Sequence, residues 1–353
     1  MTTTVRSRPL AERLAAATAG CTDVPALAAT TFRVLAADVP FGFGCLATTD
    51  PDTGLITAAH KSHPLPMGDE DWSAAEYGQP DVNQFAEIAA RPAPVGVLSI
   101  DTAGEPGRCR RFADYLAPVF GFTDELRLAC RTGGSAAPVT WGAVALYRGA
   151  GAPAFTAREA ALLVGVHELL ADRLRRILFP GTPPIAAAEG AAVLVVDGAD
   201  RVTSATAAAE AQIAELGGWD GASLPANLLA VAARARAGGP ATARALGRSG
   251  RWLALSAMPL SPAGTTAAGQ ALVLTIDTAP PAAVGQLALA ARGLTARESD
   301  VARLVLQGAS TKDIAASLFV SPHTVQDHLK AIFAKLGVGS RREMIAQLVL
   351  PGS

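Results

Sequence analysis

Residues 310–337 read STKDIAASLFVSPHTVQDHLKAIFAKLG and contain a helix start, a tight turn and a second helix start in close succession. Ser310 stands as an N-cap before Thr311-Lys312-Asp313, its hydroxyl placed to accept from a first-turn amide that has no partner within the helix. Ile314, Ala315 and Leu318 then fall on one face. After the turn at Phe319-Val320, Ser321 is again a good N-cap, and Pro322 takes the first helical position, where its missing N–H costs nothing. This longer helix turns Val325, Leu329, Ile332, Phe333 and Leu336 inward by spacing and stops at Gly337. Two helices joined by a short turn, the second longer and polar on its outer face, form the arrangement that seats a helix in the major groove of duplex DNA.

The flanking residues extend the pattern. Thr295-Ala296-Arg297-Glu298 is a capping box ahead of the apolar stripe Val301, Leu304 and Val305, and Gly308 suits the left-handed position that ends the helix. Ser340-Arg341-Arg342-Glu343 caps a further helix with Met344, Ile345 and Leu348 apolar. The expectation is an all-α, four-helix domain over residues 290–353 whose third helix, about 321–336, is the reader. The charge distribution agrees. The chain has a formal net charge of −1, but residues 291–353 hold eight Lys/Arg against five acids, which is +3 and leaves −4 for the remainder. The positive charge therefore sits where phosphates would be met.

On the reader helix His323, Gln326, Asp327 and Lys330 share one stripe. Gln pairs with adenine, Lys reaches guanine O6/N7 or a phosphate, and Asp accepts from cytosine N4. Thr311, Lys312, Thr324, Lys335 and Arg341 are candidates for phosphate contacts, helped by the free amides at Ser321 to Thr324. A small helical bundle with a solvated polar face would show the same capping and periodicity.

A resemblance decides between these readings. Leu294-Thr295-x-Arg297-Glu298, Gly308-x-Ser310-x-Lys312-Asp313-Ile314-Ala315, Val320-Ser321-x-x-Thr324-Val325-x-x-His328 and Lys335-Leu336-Gly337-Val338-x-Ser340-Arg341 together resemble the LuxR-type (GerE-like) helix-turn-helix. The resemblance covers about 290–350. It implies that Gln326, Asp327 and Lys330 face bases and that the last helix, through Met344, Ile345 and Leu348, pairs two copies of the module.

Upstream, the chain of 353 residues is long enough for two or three domains, and 50% hydrophobic with 17% charged residues is a globular composition. Pro180-Gly181-Thr182-Pro183-Pro184 and Ala279-Pro280-Pro281-Ala282 divide it. In the first part Phe43–Thr48 and Leu55–His60 read as a hairpin. Val95–Ile100, Leu126–Cys130 and Thr140–Tyr147 read as strands, with a helix near Arg110–Phe120. The Thr156-Ala157-Arg158-Glu159 capping box opens a long helix to about Leu178. In the second part, strands are expected at Ala192–Val196, from Val202, at Trp252–Met258 and at Ala271–Ile276, with helix over Ala226–Ala245.

Residues 10–179 look like a GAF-type sensor domain through Trp141-Gly142-Ala143-Val144-Ala145-Leu146-Tyr147 and Phe155-Thr156-Ala157-Arg158-Glu159. Residues 186–278 look like a degenerate PAS domain through Val193-Leu194-Val195-Val196-Asp197 and Arg201-Val202, although Thr206 replaces the family's Asn or Asp. The expected architecture is therefore multidomain: an α+β GAF-like domain, a smaller α+β PAS-like domain, a linker at 279–289 and the helix-turn-helix domain. Such domains sense small molecules or dimerise, and the sequence does not choose between the two.

No G-x-x-x-x-G-K-[ST] and no G-x-S-x-G occurs, and no nucleophile set stands out, so the expectation is not an enzyme. Neither export signal nor membrane-length apolar run is visible, which points to the cytoplasm. Cys21, Cys45, Cys109 and Cys130 lie far apart and read as reduced thiols, while His60 and His63 lack a third ligand at sensible spacing. No metal and no cofactor is expected. Trp72, Tyr77, Trp141 and Tyr147 line either a pocket or a core. The expected partners are double-stranded DNA, a second copy in a homodimer, RNA polymerase and an unidentified small-molecule effector. The rival reading is a small-molecule-binding or enzymatic protein whose C-terminal bundle serves protein contact.

Overall fold

The computed structural model describes residues 9–65, 70–132, 138–179, 192–260 and 271–349. The Pro180–Pro184 break lies outside the described residues.

The first part opens with helices α1 (Leu10–Thr18) and α2 (Val24–Leu35), the second capped by the Asp23 carboxylate, which accepts from the Ala26 amide at 2.7 Å. Strands β1 (Phe43–Thr49) and β2 (Ile56–Lys61) form the expected hairpin. Helices α3 (Glu70–Tyr77) and α4 (Phe85–Ala90) follow, then β3 (Val95–Val97) and the single turn α5 (Leu98–Asp101). The strand expected to run to Ile100 ends at Val97 because Asp124 accepts from the Ser99 amide at 3.0 Å and its hydroxyl at 2.8 Å, turning the chain. A π-helical turn (Phe112–Leu116) leads into α6 (Ala117–Phe120), then the long strands β4 (Phe122–Thr132) and β5 (Val139–Gly149). The capping box at Thr156 and Glu159 forms as read, but the helix behind it is two, α7 (Ala157–Val164) and α8 (His167–Leu178), broken where Val166 leaves helical geometry after Gly165.

The sheet order is β2-β1-β5-β4-β3. Because side chains alternate, its two faces differ sharply. One carries Leu46, Leu126, Leu128, Val144 and Leu146, packed with α1, α2, α7 and α8. The other carries Cys45, Ala47, Ala143, Ala145, Glu125 and Arg127 under α3, α4 and the π-turn. At one side of this face Glu76, Arg111, Glu125 and Arg127 form a fully buried ionic cluster, with Arg111 to Glu125 at 2.8 Å and Arg127 to Glu76 at 2.9 Å. Four charges out of water hold only when mutually paired, as here. Of the four aromatic residues singled out above, Trp72 and Tyr147 border a cavity on this face, whereas Trp141 lies in the leucine core and Tyr77 accepts from the Ile56 amide at 3.0 Å.

The second part repeats the topology. Strands β6 (Ala192–Val196) and β7 (Val202–Ala205), helices α9 (Ala208–Glu215) and α10 (Ala226–Gly238), then β8 (Ala241–Leu246), β9 (Trp252–Pro259) and β10 (Leu272–Thr278) give the order β7-β6-β10-β9-β8. Helix was expected through Ala245. The chain instead turns at Gly239, whose φ is +89°, and Ala241, Ala243 and Ala245 point into the sheet core as β8.

The two sheet domains are fastened together. Asp50, buried in the β1–β2 turn, accepts from the Arg244 amide at 2.6 Å and its guanidinium at 2.7 and 3.0 Å. Phe179 stacks on Trp252 with ring centroids 5.0 Å apart. Helix α11 (Pro281–Ala291) occupies the stretch expected as a linker: Pro281 opens the helix rather than breaking the chain, and Val284, Leu287 and Ala291 enter the core shared with the first domain. The remaining helices are α12 (Ala296–Leu306), α13 (Thr311–Leu318), α14 (Pro322–Leu336) and α15 (Arg341–Val349). Among the described residues no helix is long and apolar enough to cross a membrane.

Candidate nucleic-acid interface

The C-terminal helices assemble by the end signals in their sequence. Ser310 Oγ accepts from the Asp313 amide at 3.2 Å while the Asp313 carboxylate accepts from the Ser310 amide at 3.1 Å, a closed capping box for α13. Ser321 Oγ accepts from the Thr324 amide at 3.0 Å and fixes the start of α14. Gly308 and Gly337 take the left-handed conformations that end α12 and α14, at φ +83° and +69°. Ile314 and Ala315 of α13 and Val325, Leu329, Ile332 and Leu336 of α14 close on Val301 and Val305 of α12. Burial of these side chains, each worth about 1.5–3 kcal/mol for the larger aliphatics, fixes α14 with its other face in solvent.

That outer face presents the predicted stripe. His323, Gln326, Asp327 and Lys330 are all exposed. Asp327 sits between His323 and Lys330, with Oδ2 3.2 Å from His323 Nδ1 and Oδ1 3.7 Å from Lys330 Nζ. The acid thus restrains the lysine beside it on the surface. Thr311 and Lys312 begin α13 and Thr324 lies in the first turn of α14, so these candidates cluster at the two helix N-termini.

Other predicted residues are engaged elsewhere. Lys335 donates to Glu298 Oε2 at 2.5 Å and to the Gly293 carbonyl at 3.3 Å, tying the end of α14 to the start of α12. Burial alone would push the Glu298 carboxyl up. The hydrogen bonds from Lys335 and Thr295 and the lysine charge outweigh that and hold it below the usual range. The Arg341 guanidinium donates to the Ala309 carbonyl. Met344, expected on a pairing surface, is fully buried in the domain core, so it fixes α15 to its own chain and offers nothing to a partner. Ile345 is half-buried against the same core, and the side chain of Leu348 lies outside the described residues. One residue that periodicity could not find is Phe319, which lies between the two helices. It is 95% exposed in a left-handed backbone conformation, φ +55°.

Among the described residues no group of three or more His, Cys, Asp or Glu is placed to hold a metal ion. Cys109 and Cys130 are buried, and burial pushes their thiols up to about 11 and about 12.

Known proteins share this C-terminal region. A family model described as bacterial regulatory proteins, luxR family, matches residues 292–348. The spore germination protein GerE of Bacillus subtilis is 41% identical over 59 residues, which cover 80% of that protein. The chain belongs to the luxR family. Its luxR-type domain is also 53% identical over 60 residues to Rv0890c of Mycobacterium tuberculosis, named as an HTH-type transcriptional regulator; the match spans 17% of this chain and 7% of that one. The luxR-type region thus occupies a small part of a much longer relative. A solved structure of the Vibrio cholerae VqmA dimer aligns with 44% of this chain and 80% of its own at 18% identity, with a TM-score of 0.21, at which no common arrangement of the whole chains is implied.

Proposed function

We propose that this chain is a one-component transcription regulator that reads duplex DNA with α14 and restrains or releases that helix through its two N-terminal domains. The observation that carries the reading is the exposed stripe His323, Gln326, Asp327 and Lys330 on a helix whose opposite face is locked into a luxR-type core. Gln326 and Lys330 meet base edges, with His323 and Asp327 setting the lysine's position. Thr311, Lys312 and Thr324 meet phosphates and supply the salt-dependent part of the affinity. Lys335 and Arg341 serve first to hold the domain together. The GAF-like and PAS-like readings of 10–179 and 186–278 are supported by two antiparallel sheets of the same strand order, each flanked by helices. A ligand acts on DNA binding only through differential affinity for two arrangements of these domains.

The test is fluorescence anisotropy of the full chain on a pool of duplex DNA over a salt series. Binding that selects a two-fold symmetric site and is lost in Lys330→Glu, with the chain still folded, supports the reading. Equal binding by wild type and Lys330→Glu sinks it.

A further inference from the structure

The pairing register places Cys45, Ala47, Ala59, Ala143 and Ala145 side by side on the helix-roofed face of the first sheet. The opposite face of the same sheet is built from leucines and valines. Protein interiors are close-packed, so methyl-sized floors under a covered face imply either a descending roof or a guest. The roof does not descend. A cavity of about 50 Å³ remains above the alanines.

Its walls are rings. Phe122 stacks on Tyr147 at 4.7 Å and on Phe43 at 5.8 Å, and opposite them Phe85 is held by the Arg127 guanidinium, 3.9 Å from its centroid. Lys61, among the described residues, is the one cation of the lining; its side chain is 17% exposed and pairs at 3.2 Å with Asp220, which belongs to the second domain. Ala226, the first residue of α10, completes the wall from that same domain. The cavity is therefore bordered at the domain boundary by the Lys61–Asp220 ion pair and the helix end beside it.

Building on the sensing role given above, we propose that this cavity binds a single-ring aromatic carboxylic acid, its ring on the alanine floor and its carboxylate on Lys61 in place of Asp220. The chemistry selects each part. Apolar floor and aromatic walls favour a flat ring. A partly buried ammonium rewards an anion and opposes a cation. Sites for drug-sized ligands run to about 300 Å³ or more, so the guest is small. Even one ring needs the wall at Ala226 to shift outward, against the buried hydrogen bond that Asn227 donates to the Thr57 carbonyl at 3.0 Å. Exchanging Asp220 for the ligand removes one ion pair across the domain boundary, so occupancy changes the contacts between the domains.

Calorimetric titration of the full chain with sodium benzoate, against acetate and benzyl alcohol, tests this. Benzoate is expected to bind at least about tenfold more tightly than either control, and Lys61→Gln to lose about that factor, the size of one charged hydrogen bond. Asp220→Asn, at an exposed position, is expected to tighten benzoate binding by removing a charged competitor for Lys61, a sign that a merely structural role would not give. Benzoate heats no larger than those of acetate, or unchanged affinity in Asp220→Asn, overturn the site. DNA binding measured in the same samples separates the two claims. Benzoate bound with DNA affinity unchanged keeps the site and removes the sensing role, whereas DNA binding intact with no benzoate bound removes only the site.

Discussion

Leu287 and Leu289 stand two residues apart on α11 and are buried in different cores, the first with the N-terminal domains and the second with the luxR-type domain. At 3.6 residues per turn they point to nearly opposite sides. One helix is thus shared by both halves, and Arg175 of α8 donates to its last carbonyl, Ala291. Leu287→Ala is expected to cost about 2–5 kcal/mol and to split one calorimetric transition into two, since it cuts the N-terminal side of the bridge. A single unsplit transition would show that the bridge does not couple the halves.

Phe319 supplies a prediction of opposite sign. A non-glycine residue in left-handed geometry costs roughly 1–2 kcal/mol, and its side chain buries almost nothing in return. Phe319→Gly should therefore stabilise the chain by about 0.5–1 kcal/mol once glycine's extra backbone entropy is deducted, and raise its urea midpoint accordingly. A lower midpoint would mean the ring makes a contact worth more than the strain.

Two lysines of α14 should behave differently. Lys330→Glu reverses charge on the exposed stripe and is expected to abolish DNA binding while lowering stability by no more than about 0.5 kcal/mol, from the new like-charge pair with Asp327. Lys335→Glu faces Glu298, so it should destabilise the domain before any effect on DNA is considered. Thermal melts beside anisotropy distinguish them. Lys312→Ala is expected to weaken binding across sequences and to lower the salt slope by about 1.

The Glu298 carboxyl titrates below its unfolded value, so its contribution is complete above about pH 4.3 and is lost as pH falls through the lowered folded pKa. Stability of the chain should decline on that acid limb, and Glu298→Gln should flatten it. Denaturant midpoints measured from pH 6 down to about pH 3 follow both. An unaltered limb in the variant would assign the acid loss to other carboxylates.

At the junction of the sheet domains, Asp50 is buried and Arg244 nearly so. Neutralising Asp50 leaves Arg244 with Asp52 at 2.5 Å and the Ala283 carbonyl, so the loss falls below the about 3–5 kcal/mol of a fully stranded buried charge. Asp50→Asn is expected to lower the melting temperature and to open the domain boundary to limited proteolysis. Protection identical to wild type would count against a fastened boundary.

The luxR-type domain was legible residue by residue because its signals are local: Thr295, Ser310 and Ser321 at helix starts, Gly308 and Gly337 at ends. The sheets were legible where strands are β-branched, as at Ala192–Val196. They were not where alanine dominates. The segment Ala241–Leu246 has helical composition and becomes a strand only because β9 offers it a ladder. Proline misled in the same way at α11, since Pro-Pro reads equally as a break and as a first helical turn, and only the two flanking cores decide. The outward side of α14 follows from periodicity, but the inward fates of Met344 and Lys335 depend on helices far away in sequence.

The buried charges on β4 have one more consequence. A strand that slips by one residue exchanges its two faces entirely. For β4 that would drive Glu125 and Arg127 among Leu46 and Leu146 while lifting Leu126 and Leu128 towards Glu76 and Arg111. Leucines alone on both faces would tolerate such a mistake. The ionic cluster therefore proofreads the alignment of the central sheet, admitting the single pairing in which each buried charge meets its opposite.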